Sequence, residues 1–219
     1  MGYGVKVEVW GPLALFCRPE LKAERVSYDV MTPSAARGIL EAIYWKPEIS
    51  YQIDSIYVCN PIRFTNIRRN EVSAKLPRSD GLSAMKGEKV PYLYAPAVIQ
   101  QRAAMLLRDV RYVIEAHFEL TGKGCEGDSR EKHYAILMRR LKHGQCFHMP
   151  CFGCREFPAS FRFFESETVP TSPENMGEKD LGYMLYDMDY SNREDIRPEF
   201  FRAVMRNGRI DVAGCEVKT

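Results

Sequence analysis

Three segments in the first third of the chain alternate apolar with polar residues. The alternation covers residues 3–10, 49–58 and 62–68, and Gly11-Pro12 and Pro61 break the first two segments. A period of two residues is typical of strands that bury one face. We therefore predict three half-buried strands in this region.

Two other segments have helical spacing. Thr32-Pro33 is typical of a helix N-terminus, apolar residues follow at helical intervals, and Pro47 stops the element. The second segment begins at Asp128 or Ser129, where a capping box is spaced correctly, and Gly144 ends it. These patterns predict one helix near the start of the chain and one in its second half.

The centre and the end of the chain have weaker patterns. Residues 70–91 are polar and basic without periodicity, which predicts a long loop of the kind that often carries function. Residues 98–107 and 111–120 are rich in β-branched and aromatic residues, which predicts a hairpin turning at residues 108–110. Further strands are predicted within residues 147–164, 181–190 and 208–212, with a short helix over residues 198–205.

The order of these elements predicts an α+β fold. A β-α-β-β-hairpin-α-β sequence is close to a ferredoxin-like (RRM-like) unit with an inserted β-hairpin. We assign residues 1–165 to this N-terminal domain and residues 166–219 to a small β-rich C-terminal domain.

Composition narrows the class of protein. The chain has 219 residues, of which 45% are hydrophobic and 27% charged, so it can bury a sizeable core and is not disordered. No apolar run approaches the roughly 20 residues of a membrane helix. Seven cysteines without a preceding apolar leader segment predict free thiols and a cytoplasmic protein.

The charge is unevenly distributed, although the net charge is only +2. Basic residues dominate between Arg63 and Arg111, and acidic residues dominate between Glu165 and Glu199. Such a distribution predicts a polarised surface.

Two motifs that suggest ligands have plainer interpretations. Residues 122–127 match G-x-G-x-x-G, but no βαβ unit surrounds them, so we predict a flexible loop rather than a dinucleotide site. Cys146, His148, Cys151 and Cys154 have zinc-like spacing, but one cluster without a second half-site favours buried thiols. We therefore predict no metal site and no cofactor.

Two helix ends carry residues suited to acid–base chemistry. Lys132 and His133 lie in the first turns of the second helix, where the helix dipole favours anions, and His133 is expected at the boundary of core and solvent. Tyr44 lies on the last turn of the first helix. The alternatives are a solvated Lys-His pair and an aromatic cap over the core.

Several stretches resemble a known family. Residues 26–47, VSYDVMTPSAARGILEAIYWKP, resemble the signature of the CRISPR-associated protein family five, d variant, of subtype I-C, and residues 131–134 and 153–157 match two further stretches. The resemblance implies an RNA-binding protein of the repeat-associated group with a ferredoxin-like N-terminal domain. It also implies cleavage of precursor CRISPR RNA at the base of the repeat hairpin, without metal, after which the protein stays in the interference complex.

The resemblance implies Tyr44, Lys132 and His133 as catalytic residues. The RNA 2′-hydroxyl would attack the adjacent phosphate and leave a 2′,3′-cyclic phosphate and a 5′-hydroxyl. A free histidine side chain exchanges protons near neutral pH and a lysine stays charged there, but the sequence does not assign base and acid between His133 and Tyr44.

Partners follow from the same resemblance. We expect the repeat RNA hairpin, other subunits of the type I-C complex and, less directly, double-stranded DNA. The RNA-binding candidates, which a solvated basic surface would equally explain, are Arg63, Arg68, Arg69, Lys75, Arg78, Lys86, Lys89, Arg108 and Arg111.

Three other functions remain open. A binding module would hold RNA without cutting it. A metal-dependent DNA nuclease is less favoured because no clearly spaced pair of carboxylates occurs in the basic half of the chain. A zinc-stabilised adaptor is the least favoured.

Overall fold

A computed structural model describes residues 3–21, 24–88, 91–124, 127–192 and 194–219. Its helices are α1 (Pro33–Ile43), α2 (Arg78–Met85), α3 (Ala95–Val98) and α4 (Arg130–His143). Its strands are β1 (Val5–Ala14), β2 (Arg25–Val26), β3 (Ile49–Val58), β4 (Phe64–Val72), β5 (Ile99–Leu120), β6 (Ser160–Phe163), β7 (Glu178–Asp189), β8 (Arg197–Arg206), β9 (Arg209–Asp211) and β10 (Val217–Lys218).

These strands form one sheet with a mostly antiparallel arrangement. The order along the main path is β10-β8-β9-β3-β5-β1-β6, while β2 and β4 pair with β5, and β7 pairs with β8. Only the short β2–β5 pairing is parallel among the described strands. The prediction of an α+β fold is confirmed in that helices and strands are mixed, and the sheet is mostly antiparallel.

The longest strand replaces the predicted hairpin. Residues 99–120 form the single strand β5, so the prediction of a turn at residues 108–110 is wrong. Asp109 has a positive φ of 53°, yet the strand continues through it. The reason is tertiary, because the first half of β5 pairs with β4 and the second half pairs with both β1 and β3.

Two other local predictions are also corrected. The predicted loop over residues 70–91 contains the end of β4 and the helix α2. The predicted helix over residues 198–205 is the strand β8, which pairs with β7, β9 and β10. Burial of Phe201, Ala203 and Met205 has the period of a strand, and pairing on both edges stabilises it.

The core lies where α1 and the central strands meet. Thr32 caps α1 as predicted, because its hydroxyl accepts a hydrogen bond from the Ala35 N–H at 3.2 Å. The apolar side of α1 is buried in the same cluster as residues of β1, β5 and β8. Contacts of α1 with β3, β7 and α4 then fix where both of its ends lie.

The second helix begins at the later of the two predicted positions. Ser129 is the N-cap of α4, and Gly144 ends the helix in a left-handed conformation with a φ of 62°. The helix contacts β6 and α1. None of the described helices is long and apolar enough to cross a membrane.

Candidate active site

The end of α1 positions a tyrosine. Tyr44 is the C-cap residue, and its backbone is extended, with a φ of −151°. Its N–H donates to the Leu40 carbonyl at 2.9 Å, and its own carbonyl accepts from the Tyr51 hydroxyl at 2.7 Å. These contacts tie the backbone of Tyr44 to α1 and to β3 at once.

The start of α4 positions a histidine. The Ser129 hydroxyl accepts from the Lys132 N–H at 3.3 Å, and the His133 N–H donates to the Ser129 carbonyl at 3.2 Å. The His133 ring points inward, is 2% exposed, and meets the edge of Phe118. The prediction that His133 lies at the boundary of core and solvent is therefore wrong, because the inner face of α4 packs more deeply than its apolar stripe indicates.

The two rings meet in a hydrogen bond. The Tyr44 hydroxyl lies 2.8 Å from His133 Nδ1, across 89 residues of sequence. Tyr44 is also 2% exposed. A phenol joined to an imidazole is an arrangement suited to proton transfer.

Lys132 lies beside this pair but faces solvent. Its side chain is 54% exposed, and its Nζ lies 2.5 Å from Asp128 Oδ1. The hydrogen bond to this carboxylate raises the pKa of Lys132, so the ammonium is present at neutral pH. The same Asp128 oxygen lies 3.9 Å from His133 Nε2.

Tyr44 is held as a neutral phenol. Burial raises the pKa of Tyr44, and the nearby charges of Arg140 and Lys132 oppose this effect without cancelling it. The Arg140 guanidinium lies 5.1 Å from the centre of the Tyr44 ring and donates to the Ile43 carbonyl at 2.6 Å. Arg140 thus joins α4 to the end of α1.

Two residues of this site, Asp128 and Arg140, are absent from the predicted set. Asp128 stands four residues before Lys132, and Arg140 stands seven residues after His133, which are both same-face spacings on a helix. This periodicity is the signal that connects them with Lys132 and His133.

The residues with zinc-like spacing do not form a metal site in the described part of the chain. No group of three or more His, Cys, Asp and Glu side chains there is arranged to hold a metal ion. Cys154 instead interacts with Cys17, and this interaction lowers the pKa of Cys17. The His148 ring packs against Phe147, with ring centres 4.3 Å apart.

Some of the predicted RNA-binding residues form ion pairs within the protein. Arg111 pairs with the buried Glu8, Arg69 pairs with Glu156 at 2.5 Å, and Arg63 lies 3.5 Å from Glu174. Their charges are therefore partly neutralised before any ligand binds.

The other predicted RNA-binding residues are exposed. We call residues 64–88 and 91–107 the arm. They contain β4, α2, α3 and the first half of β5, and α2 buries none of its residues. Lys89 lies outside the described residues. The predicted residues that make no ion pair within the described ranges are Arg68, Lys75, Arg78, Lys86 and Arg108.

A cleft of about 780 Å³ runs along α1. Thr32, Gly38 and Ala42 of the α1 segment line it, and His148 and Arg155 face them. The Ala42 carbonyl accepts hydrogen bonds from the backbone N–H groups of residues 147 and 148, each at 3.0 Å. Ala42, which lines the cleft, stands two positions before Tyr44 in the chain.

The sequence of the chain matches that of a known protein family. A sequence model described as CRISPR-associated protein (Cas_Cas5) matches residues 4–213. The chain belongs to the Cas5d family. The resemblance predicted from residues 26–47 is thereby confirmed.

Relatives of the family span nearly the whole chain. A protein of Mannheimia succiniciproducens named CRISPR pre-crRNA endoribonuclease Cas5d is 49% identical over 97% of this chain and 96% of its own length. A protein of Thermus thermophilus with the same name is 42% identical over 96% of this chain and 82% of its own length. A crystal structure titled CRISPR-associated Protein has a TM-score of 0.70 and 25% identity, and the match covers 99% of this chain and 96% of that one.

Proposed function

We propose that this chain is an endoribonuclease that cuts precursor CRISPR RNA within each repeat, at the base of the hairpin. The observation that carries the proposal is the 2.8 Å contact of Tyr44 with His133 beside the Lys132 ammonium. The full-length relatives named CRISPR pre-crRNA endoribonuclease supply the substrate class.

The chemistry needs only groups that the RNA and these side chains supply. The 2′-hydroxyl attacks the adjacent phosphorus, and the products are a 2′,3′-cyclic phosphate and a 5′-hydroxyl. Lys132 stabilises the charge that develops on the phosphate oxygens. His133 and Tyr44 carry out the two proton transfers: one proton is removed from the 2′-hydroxyl, and one is donated to the leaving 5′-oxygen.

The different exposure of the three side chains suggests an order of events. Lys132 is the exposed member, so an incoming phosphate meets it first. The two rings behind it are each 2% exposed, so the 2′-hydroxyl reaches them only when neighbouring side chains separate. We expect RNA binding to supply the free energy for this opening.

A cleavage assay with a matched histidine control tests the proposal. We expect His133→Ala to abolish single-turnover cutting of a labelled repeat RNA, and His143→Ala, at the exposed end of the same helix, to cut like wild type. Cutting should persist in EDTA and stop when the 2′-hydroxyl at the cut site is replaced by hydrogen. Cleavage of that deoxy substrate would refute the mechanism.

Binding of the repeat is assigned to the basic residues. An A-form stem offers phosphates and 2′-hydroxyls rather than a readable major groove, so charge and shape carry recognition. The exposed basic residues of the arm suit this role better than Arg111, which pairs with Glu8. A steep fall in affinity with added salt is the expected signature.

We also propose a ferredoxin-like arrangement for residues 1–165. The chain order β1-α1-β3-β5-α4-β6 and the sheet order β6-β1-β5-β3 support it, with the pairing of β4 and β5 as the inserted hairpin. Residues 166–219 would then be the C-terminal β-rich domain, joined to the sheet where β9 pairs with β3.

The second candidate is a subunit that binds RNA or double-stranded DNA without cutting it. The burial of both rings favours this alternative, because a closed pair needs rearrangement before it meets a substrate. In either case we expect the protein to assemble with other subunits of the type I-C interference complex. Cutting by the wild-type protein alone decides between the two candidates.

A further inference from the structure

We propose that Asp128 is a positioning residue that sets the proton of the His133 ring on Nε2 and leaves Nδ1 to accept a hydrogen bond from Tyr44. The tautomer is a property of the free protein, whereas its catalytic consequence rests on the proposed function.

Asp128 is placed to act on both basic side chains of the site. It immediately precedes the N-cap of α4, and its side chain is 14% exposed. Its Oδ1 lies 2.5 Å from Lys132 Nζ and 3.9 Å from His133 Nε2. A Cβ atom at Gly124 would lie 3.2 Å from the Asp128 Cβ, so the preceding loop packs closely against this carboxylate.

The carboxylate selects one of the two neutral forms of the ring. A neutral imidazole carries one N–H, and its other nitrogen is an acceptor. A proton on Nε2 faces the negative charge of Asp128, which is favourable, whereas a lone pair on Nε2 would be repelled by it. His133 Nε2 makes no hydrogen bond within the described residues, so electrostatics decides the tautomer.

The other ring nitrogen of His133, Nδ1, then acts only as a hydrogen-bond acceptor. With the proton on Nε2, Nδ1 accepts from the Tyr44 hydroxyl over their 2.8 Å contact. This direction makes Tyr44 the donor and His133 the acceptor of the pair.

Other charged groups modulate this arrangement. Lys132 shares Asp128 Oδ1 with the ring, and the charges of Arg140 and Glu48 act on Tyr44 from α4 and from the segment after α1. Phe118, which packs against His133 from β5, carries no charge.

Nitrogen-15 NMR of the free protein tests the tautomer without RNA. The chain has four histidines, and a His133→Gln variant identifies the signals of His133. We expect an Nε2–H tautomer in the wild type and a weaker preference for this tautomer in Asp128→Asn. Glu131→Gln is the matched control, since Glu131 is an acid of the first turn of α4 that pairs with Tyr3. An Nδ1–H tautomer in the wild type, or an equal loss of preference in Glu131→Gln, would overturn the proposal.

Cleavage assays test the catalytic consequence. We expect Asp128→Asn to slow single-turnover cutting about 10- to 100-fold with unchanged affinity for the repeat, and to move the acidic limb of the rate profile to lower pH. Asp128→Glu should recover part of the rate, which separates the loss of charge from misfolding. Wild-type rate and pH profile in Asp128→Asn would refute the positioning role. If the wild-type protein does not cut the repeat, the proposed function is refuted. If NMR then still shows the Nε2–H tautomer, the role of Asp128 in setting it stands.

Discussion

The candidate active site and the arm organise their polar residues in opposite ways. In the site, Tyr44 and His133 are almost fully buried, and each is held by contacts from two elements. In the arm, the helix α2 buries no residue, and Lys75, Arg78 and Lys86 are exposed. Packing therefore fixes the positions of the side chains in the site, whereas the basic side chains of the arm are exposed and have only their positive charge in common.

This difference predicts two kinds of response to substitution. Chemistry at a phosphate depends on the distance and direction of each group, so single changes in the site should affect the rate steeply. Binding to a polyanion sums many weak contacts, so single changes in the arm should have small effects on affinity. Substitutions in the two regions test this contrast, and the largest effect is expected in the site.

Tyr44→Phe should have the largest effect, because it removes one hydroxyl from the buried pair. We expect single-turnover cleavage to slow by about 100-fold or more while affinity for the repeat is unchanged. The matched control is Tyr57→Phe, which removes a hydroxyl that bonds Glu115 elsewhere on the sheet. Equal cleavage by Tyr44→Phe and wild type would remove Tyr44 from the mechanism.

Replacing Lys75, Arg78 and Lys86 together by alanine should weaken RNA binding. We expect the plot of log affinity against log salt to become less steep by about 2 to 3, because each lost phosphate contact contributes about 0.7 to 0.9. The cleavage rate at saturating protein should stay within about twofold of wild type, because no group of the site is altered.

A second triple variant controls for net charge. Arg197, Arg202 and Arg206 pair with acids on and near β7, so their replacement by alanine changes the net charge of the protein equally. An equal loss of slope in both variants would show that the arm is not the binding surface.

Ionisation of Glu8 should make the free energy of unfolding depend on pH in the acidic range. Burial raises the pKa of Glu8, but hydrogen bonds from Arg162 and Arg111 outweigh it, so the pKa is lowered. The stabilisation is therefore complete above the unfolded-state pKa near 4.3 and is lost as the pH falls through the folded-state value.

Urea unfolding of Glu8→Gln measures this effect. We expect a loss of about 1 to 2 kcal/mol at pH 7, because both guanidinium partners are partly exposed. The difference from wild type should shrink as the pH falls below about 4. A constant difference across this range would exclude ionisation of Glu8 as its source.

Thr32→Ala should give the smallest effect of the series. Removing the hydroxyl that caps α1 should lower the free energy of unfolding by about 1 kcal/mol. Ser79→Ala on α2, a helix without a side-chain cap, should change it by no more than about 0.5 kcal/mol. Thermal unfolding monitored by circular dichroism measures both, and equal losses would contradict the contrast between the two helices.

Local signals predict the elements that depend on neighbouring residues. The cap at Thr32, the alternation in β3 and the glycine at position 144 each work within a few residues, and all three predictions are confirmed. The family is likewise confirmed, because its motifs are contiguous stretches of sequence.

Pairing between strands decides the elements that are predicted wrongly. The strand β5 continues through Asp109 because β4 pairs with its first half and β1 and β3 pair with its second half. The strand β8 replaces a predicted helix because strands pair with it on both sides. The partners β1 and β3 lie far from β5 in the chain, so local periodicity does not show that pairing. The strands β7 and β9 are neighbours of β8 in the chain, but the spacing of apolar residues within 198–205 does not show them either.

The amino-acid sequence alone determines which chemical groups this protein carries and where α1 and α4 begin and end, because caps and periodicity act over a few residues. Only the tertiary structure decides that Tyr44 and His133 share a hydrogen bond across 89 residues and that Asp128 lies against both Lys132 and His133. The physical reason is that these contacts depend on how α1 and α4 pack together, and packing is set by the shape of the whole core.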